Sequence, residues 1–486
     1  MKFNTKNVDI IIVGASAASM VLAAQLLKYG IEPMVVDHRK GMSDTESLIT
    51  LDRLSLDMLG RLGLMDTLLP LGSVCKGLTV QFADQVLKQI DLTHDEHLSA
   101  YHYFLNIEQG KVDKALLQYL GSKACPVYWD SRIKDIYQDD SGVRVVMEQD
   151  QSSHDIKSKW VVFSDCENDH ILTRLGFDHK SWVIPQQLYC SKIEPNELVD
   201  CDQRLVMMSD GFMFAKSDER TNRYHLLSST KSDGSSSKNV IGSVALNYLQ
   251  QRCISFGRLN VDGLFLLDSI INLHFQDAAN LSWKLAFIIS EKMNKTMLSS
   301  YEVERKFLAM RVYRKSYWLL NVLLYKGRLF SKLRQQLALK SLDNILFTEY
   351  NYRRSELSLH HSLSKKIVAG DRLPNFTVYD EKSGVDTSLH EWVKKSGFVL
   401  LLLGSLSSYL RFNIGQGIKK KYTSYMHVYY LPYSSKNEHV FKAFEMKAEQ
   451  HKMILIRPDG YIGFINDVLN ASLVDTYMEE LMKWRY

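Results

Sequence analysis

Asp9-Ile-Ile-Ile-Val-Gly-Ala-Ser-Ala-Ala-Ser-Met20 is the stretch on which the fold turns. Its first half is a continuous apolar run, the pattern of a parallel strand buried on both faces. Ala17 to Tyr29 follows with helical spacing at Met20, Leu22, Ala23, Leu26 and Leu27, and Gly30 closes it as a helix C-terminal residue should. Pro33-Met-Val-Val-Asp37 then reads as a second strand ending in an acid. Strand, tight turn, helix, strand, acid is the layout of a dinucleotide-binding fold.

Working outward, the rest of the first 300 residues alternates helices and strands. Leu51 to Leu64 reads as helix, and Arg144 to Met147 and Trp160 to Phe163 as strands. From Val183 to Thr230 the pattern becomes successive short strands broken by polar turns: Gln187 to Lys192, Arg204 to Met208, Phe212 to Lys216 and Arg223 to Ser229. That predicts a mainly antiparallel layer. Asp277 to Lys295 and Ser300 to Tyr350 are periodic and helical, and a boundary falls near 360–370. Beyond it come strands at Phe398 to Leu403, His427 to Leu431, Met453 to Arg457 and Tyr461 to Ile465, then a terminal helix. At roughly 100 to 200 residues per domain, 486 residues suit several units. The expected division is an α/β domain over 1–180 and 240–300, a β-rich layer over 181–239, a helical segment over 301–362 and a C-terminal α/β unit over 367–486.

Composition excludes several classes. Glycine numbers 25 and proline 8, or about 5% and 2% against usual values of about 7% and 5%, which rules out collagen-like and Pro/Gly-rich disordered chains. A net charge of +5 without a concentrated basic face predicts no nucleic-acid partner. The six cysteines form no Cys-x-x-Cys pair and have no histidine at metal spacing, so no metal site is expected and the thiols read as reduced. The longest apolar run, Phe398 to Leu403, is too short to span a bilayer. A cytoplasmic protein is the simplest expectation.

Five further stretches carry a resemblance: Leu54-Ser-Leu-Asp-Met-Leu-Gly-Arg-Leu-Gly-Leu64, Gln109 opening a helix, Asp139-Asp-Ser-Gly-Val-Arg-Val-Val146, Asn272-Leu-His-Phe-Gln-Asp-Ala-Ala-Asn-Leu-Ser-Trp-Lys-Leu-Ala286, and Tyr301-Glu-Val-Glu-Arg305. In this order the chain resembles the FAD-dependent aromatic hydroxylases of the para-hydroxybenzoate hydroxylase and phenol hydroxylase type, above all those that tailor aromatic polyketides or degrade chlorophenols. Tyr352-Arg-Arg-Ser355, Gly370-Asp-Arg-Leu-Pro374, Gly397 to Gly404 and Ile456-Arg-Pro-Asp-Gly-Tyr461 look like the thioredoxin-like domain appended to that subgroup, here without Cys-x-x-Cys. The implied architecture is a Rossmann-like FAD-binding-type domain with a β-sheet substrate layer, a helical segment and a C-terminal thioredoxin-like domain. The implied partners are a hydrophobic or aromatic small molecule and a second copy of the chain in a homodimer.

The resemblance places FAD contacts at Gly14, Ser16, Ser19, Asp37, Gln109, Asp165 and Asp268. Three of its motifs are altered. The phosphate turn keeps Gly14 but has Ser16 and Ser19 in place of the glycines that let backbone approach a pyrophosphate and let the helix pack closely on the strand. Phe163-Ser-Asp-Cys166 keeps Asp165 without flanking glycines, and Leu264-Phe-Leu-Leu-Asp-Ser-Ile-Ile271 keeps Asp268 after Leu267. Only eight residues separate Asp268 from Asp277, leaving no room for the glycine-rich loop that wraps the flavin ring, and Ser47 stands where the family has a flavin-contacting arginine.

Two readings follow. In one, FAD is held and, with NAD(P)H and oxygen, hydroxylates an aromatic substrate. In the other, flavin function has decayed, NAD(P)H has no role, and the cleft performs redox-neutral chemistry such as cyclisation or serves as a binding or partner subunit. Lost donor sets at about 1 to 3 kcal/mol per charged hydrogen bond weigh toward the second. For it, His274 in the shortened loop, His102 between Tyr101 and Tyr103, and Asp268 are the acid–base candidates, with His170 after the second motif. Tyr189, Met207, Phe212, Phe214 and Tyr224 are expected to line an apolar wall for the substrate.

Overall fold

The computed structural model describes residues 7–42, 47–93, 97, 99–164, 169–194, 203–231, 236–245, 247–256, 259–261, 269–326, 331–346 and 350–486. The opening stretch folds as its pattern dictates: β1 (Val8–Val13), α1 (Ala17–Lys28) and β2 (Pro33–Val36). β1 lies parallel to β2 on one side and to the strand Ser152–Ser164 on the other. Its unbroken apolar run is explained by cover on both faces: Ile10 and Ile12 pack into the core built on α1, while Ile11 and Val13 pack into a second core under the hairpin Ser131–Gln138 and Val143–Gln149. Cys253–Phe256 extends this sheet in parallel beyond Ser152–Ser164.

β3 (Leu48–Leu51) pairs antiparallel with Phe104–Glu108 and leads into α2 (Arg53–Arg61). Asp52 caps α2, its carboxylate accepting the Ser55 N–H at 2.8 Å. The Ser269–Ile289 helix packs along α1 and is buried nearly all round because it lies inside the molecule, with Phe275, Leu281, Trp283 and Leu285 fully buried and Asn272, Gln276, Asn280 and Lys284 buried among them. Here the sequence-based expectation needs correction: helix starts at Ser269, not Asp277, so the shortened loop after Asp268 is helical and His274 lies on a helix. The long stretch 300–350 is likewise two helices, Leu298–Leu324 and Ser331–Leu346.

The β-rich layer is one eight-stranded sheet in the order Leu259–Val261, Ser236–Ala245, His179–Ile193, Arg223–Ser228, Gly211–Asp218, Gln203–Met208, Gly77–Phe82, Gln85–Asp91. It therefore draws strands from well outside 181–239. Every pairing is antiparallel except Gln203–Met208 with Gly77–Phe82. Both helices after residue 297 pack on it, Leu319, Leu320, Leu323 and Leu342 meeting Leu205, Met207, Phe212 and Phe214.

The C-terminal sheet runs Leu359–His361, Ile462–Asn466, His451–Ile456, Phe398–Gly404, Met426–Leu431. Its fully buried strand Phe398–Gly404 is parallel to the edge strand Met426–Leu431 through the helix Ser408–Tyr422, and antiparallel to the central strand His451–Ile456. Leu359–His361 already belongs to this sheet, so it reaches upstream of residue 367.

The two α/β parts are joined by a charged cluster with no solvent access. Arg457 donates to Glu304 at 2.6 and 3.0 Å and to Asp459 at 2.5 and 3.1 Å, Lys284 donates to Glu304 at 2.8 Å, and Asn280, Trp283 and Ser355 complete the acceptors' shells. Burial acts to raise the Glu304 carboxyl, but Arg457 and Lys284 overcome it and hold that group far below the carboxylate range. Burial pushes the Lys284 ammonium down to about 8 against the pull of Glu304.

Candidate functional site

The turn after β1 holds the first cluster of expected site residues. Gly14 adopts φ 101°, a left-handed conformation that a residue without Cβ takes freely, and donates its N–H to Val36 O at 2.8 Å. Ser16 caps α1, accepting the Ser19 N–H at 3.3 Å. Ser19 turns its buried hydroxyl back into the turn, donating to Gly14 O at 2.6 Å and Ser16 O at 2.9 Å. The Ser16 hydroxyl meets the Ser164 hydroxyl at 3.1 Å, linking the turn to the end of the strand Ser152–Ser164.

Asp37 closes β2 and is satisfied from within. Its carboxylate accepts Ala15 N–H at 2.6 Å and Arg39 N–H at 2.8 Å, and Arg39 adds side-chain donors at 2.9 and 2.8 Å. Burial works to raise this carboxyl, yet the donors from Arg39 and Ala15 hold it below the usual range. Arg39 also lies 5.9 Å from the Trp129 ring centroid. Gln109 opens the helix Gln109–Ser122, with its N–H on Ser47 O at 2.9 Å.

These contacts test the fit of FAD. The strand–turn–helix frame is built, and Asp37 stands where a ribose acceptor belongs. The fit is incomplete at two points: on the pyrophosphate side a hydroxyl stands at the family's second glycine and bridges to the neighbouring strand, and on the ribose side both Asp37 oxygens already accept from the protein. Asp165 and Asp268 lie outside the described residues.

Of the acid–base candidates, His102 is exposed and His274 is half-buried on Ser269–Ile289. Helical geometry turns residues two apart to opposite sides, so Asn272 and Gln276 do not flank the His274 ring as a loop would allow. Asn272 instead bonds β3 and α2, accepting from Asp52 N–H at 3.0 Å and Ser55 at 2.7 Å and donating to Thr50 O at 3.0 Å. His170 is exposed on the helix Asp169–Arg174.

The expected substrate wall divides. Strand register puts Leu205, Phe214, Leu227 and Cys190 in one line, so Met207, Phe212 and Phe214 share a face and fill the core against the two helices. Tyr189 pairs with Ser228 and Tyr224 with Ser217, which places both on the opposite face. The five residues do not form one wall because alternate strand positions point to opposite sides.

The same register assembles a feature that strand-by-strand reading missed. Lys192 stands opposite His225, His225 opposite Lys216, and Lys216 opposite Gln203, a polar row across four strands on the face that carries Leu205, Phe214 and Leu227. Lys216 is 4% exposed and donates to Leu48 O at 3.2 Å; Gln203 donates to Thr50 at 2.9 Å and Asn106 at 3.0 Å. The row thus abuts β3, one residue from Ser47, to which Gln109 is bonded. Burial, then Lys192, pushes the His225 imidazole down to about 4, opposed by Asp218 and Glu108. A second missed group is Asp113 on the helix Gln109–Ser122: it is buried, its Oδ1 has no hydrogen-bond partner, and burial pushes it up to about 7 while Arg39 opposes. Neither group has a local motif; each emerges only when separate segments meet.

Among the described residues there is no cluster of His, Cys, Asp and Glu placed to hold a metal, and no helix long and apolar enough to cross a membrane.

Comparison with known proteins agrees with this architecture. The FAD binding domain family matches residues 7–184 and 271–316, and the phenol hydroxylase C-terminal dimerisation domain matches 413–485. The chain is thus similar to the FAD-dependent aromatic hydroxylases in its FAD binding domain and in its C-terminal dimerisation domain. It is 22% identical over 335 residues to 6-methylpretetramide 4-monooxygenase of Streptomyces rimosus, covering 61% of this chain and 59% of that relative. It is 20% identical over 410 residues to pentachlorophenol 4-monooxygenase of Sphingobium chlorophenolicum, 75% of each. Its fold is shared with the flavin-dependent monooxygenase PieE in complex with FAD and substrate, at TM-score 0.80 and 13% identity over 99% of this chain and 100% of that one. Aklavinone-11 hydroxylase in a ternary complex with FAD and aklavinone gives TM-score 0.80 at 15% identity, with the same coverage. The rebeccamycin biosynthetic enzyme RebC with bound 7-carboxy-K252c gives 0.77 at 17%, over 99% of each chain.

Proposed function

We propose that this chain is a tailoring enzyme of secondary metabolism that acts on a hydrophobic, polyketide-like aromatic molecule by redox-neutral acid–base chemistry. The observation that carries the reading is the Lys192–His225–Lys216–Gln203 row beside β3, together with the Ser16–Ser164 hydroxyl pair across the phosphate turn. His225 is neutral at pH 7 and accepts a proton from an acidic carbon between two carbonyls. The Lys216 ammonium lies two residues along the strand from Phe214 and stabilises the enolate oxygen. Intramolecular attack of that enolate on a second carbonyl forms the new carbon–carbon bond, and the His225 imidazolium protonates the resulting alkoxide. Proton and electrons balance without an oxidant.

FAD, in this reading, binds weakly. The segments 1–180 with 240–300, 181–239, 301–362 and 367–486 are assigned as nucleotide-type domain, substrate layer, helical segment and thioredoxin-like domain, the second and fourth extended by the strands described above. The match to a dimerisation domain supports a homodimer, and the buried thiols of Cys125 and Cys253 suit a reducing cytoplasm.

A second reading, an FAD- and NAD(P)H-dependent aromatic hydroxylase, is favoured by the intact Gly14 turn and the placement of Asp37. The deciding experiment follows deuterium exchange at the methylene between the two carbonyls of an acetoacetylnaphthol by NMR, without added flavin. Exchange faster than buffer that drops at least tenfold in His225→Asn is expected. Exchange equal to buffer, with turnover appearing only on addition of FAD, NAD(P)H and oxygen, would establish the second reading.

A further inference from the structure

A second polar site lies between the nucleotide-type domain and the C-terminal part, away from the row just described. A cavity of about 40 Å³ is lined by Gln25 and Tyr29 of α1, Met58 and Arg61 of α2, Gln276 and Ser282 of Ser269–Ile289, and by Tyr352, Arg372, Asp459 and Tyr461. At roughly 10 to 15 Å³ per water-sized group it admits about three such groups, enough for a carboxylate or phosphate and too little for a nucleotide.

Its lining is polar and its charges are unevenly matched. The Gln276 side chain is 94% buried, since its exposure is 6%, and neither its Oε1 nor its Nε2 has a hydrogen-bond partner. A buried amide left in that condition costs about 1 to 3 kcal/mol, so it calls for a ligand with matching groups. Arg372 is paired with Asp57 at 2.9 Å, but its Nε has no partner. Asp459 is taken up by Arg457, Asn280 and Trp283. Arg61 forms no ion pair among the described residues, and its guanidinium donates to Pro458 O at 3.4 Å. Lys28 adds a further positive charge nearby, its Nζ donating to Arg61 O at 3.0 Å.

The two guanidinium groups converge on Gly460, whose φ of +87° and missing side chain leave them room. A Cβ there would stand 3.1 Å from Arg61 Nη2 and 3.8 Å from Arg372 Nη1. Like charges brought together in a buried place destabilise one another unless an anion lies between them. Burial and then Arg372 lower the affinity of Arg61 for its proton, in keeping with that repulsion.

We propose that this cavity binds a small oxoanion, of the carboxylate or phosphate class, held between Arg61 and Arg372 with the Gln276 amide as donor. The anion fastens α2 and the Ser269–Ile289 helix to the C-terminal part, and its affinity rises as that junction closes. The experiment is thermal unfolding and calorimetry of the full chain, titrated with sodium phosphate, sodium acetate or sodium chloride at constant ionic strength. Saturable stabilisation by phosphate or acetate but not chloride is expected, half-complete at millimolar concentration. Arg61→Gln and Gln276→Leu should each weaken it at least tenfold, while Arg39→Gln, beside the phosphate turn, leaves it intact. Gln276→Leu removes an unpartnered amide and keeps the protein folded should Arg61→Gln fail to fold. Equal response to all three salts, persistence of the effect in Gln276→Leu, or its loss in Arg39→Gln overturns the proposal, the last by placing the anion at the turn.

Discussion

The phosphate turn and the C-terminal sheet treat glycine in opposite ways. At Gly370, with φ 92°, a Cβ would lie 2.3 Å from Arg353 N, and at Gly404, with φ 117°, 2.4 Å from Gln450 O. Those glycines are demanded by the protein's own backbone. In the phosphate turn Gly14 has φ 101°, whereas Ser16 stands at the position where a ligand would need glycine and Ser19 at the one where the helix packs on the strand. Glycine thus stands where this backbone requires it, and Ser16 where the family pattern has a glycine for the approach of a pyrophosphate.

The largest effect is expected on the side where the protein depends on its own groups. Glu304→Gln leaves Arg457 and Lys284 short of a buried counter-charge and should destabilise the chain by about 3 to 5 kcal/mol, read by urea unfolding. Gly370→Ala meets backbone at close range in a left-handed conformation and should cost about 3 kcal/mol or more. If either proves harmless, the C-terminal part is not as rigidly specified as the comparison holds.

Acid sensitivity comes next. His390 is buried, its Nε2 donating to Leu373 O at 2.7 Å, and burial followed by Arg372 pushes it down to about 3. A histidine depressed in the folded state contributes stability that is complete above about 6.5 and is lost as pH falls toward 3. Unfolding midpoints should thus decline through that window, by on the order of 3 kcal/mol at pH 4, and His390→Gln should flatten the slope. His225 adds a shallower contribution lost between 6.5 and about 4, and the acid limb of activity should lie near 4. Lys192→Gln, which removes a cation beside it, should move that limb upward.

The smallest stability change is expected in the turn itself. Ser16→Gly replaces one accepted cap residue by another and costs only a few tenths of a kcal/mol. Combined with Ser164→Gly it removes the hydroxyl pair and should raise FAD affinity by on the order of tenfold, measured by flavin fluorescence quenching. Unchanged affinity would mean that the serines are not what hinders the cofactor.

Much of the fold was legible because its signals are local. The apolar run of β1, the periodicity of α1 and the acid after β2 are set by neighbours in sequence, and strands such as Phe398–Gly404 announce themselves by burial on both faces. The helix from Ser269 was harder, since a family pattern suggested a loop where the residues Ser269-Ile-Ile-Asn-Leu-His continue the apolar helix spacing up to Asp277. Substrate-side residues were the least legible: Met207, Phe212 and Phe214 look like a binding wall and are packed against helices some hundred residues away in sequence.

The sequence by itself determined the βαβ frame, the presence of a β-rich layer and a C-terminal α/β unit, and the serines at positions 16 and 19 of the turn after β1. Tertiary structure alone decided what shares a face or a cavity. Lys192, His225, Lys216 and Gln203 become neighbours through strand register, and Arg61, Gln276 and Arg372 through the docking of two α/β parts. The physical reason is that backbone conformation follows from short-range sterics and periodicity, whereas register and docking are settled by the burial of surfaces contributed by distant segments.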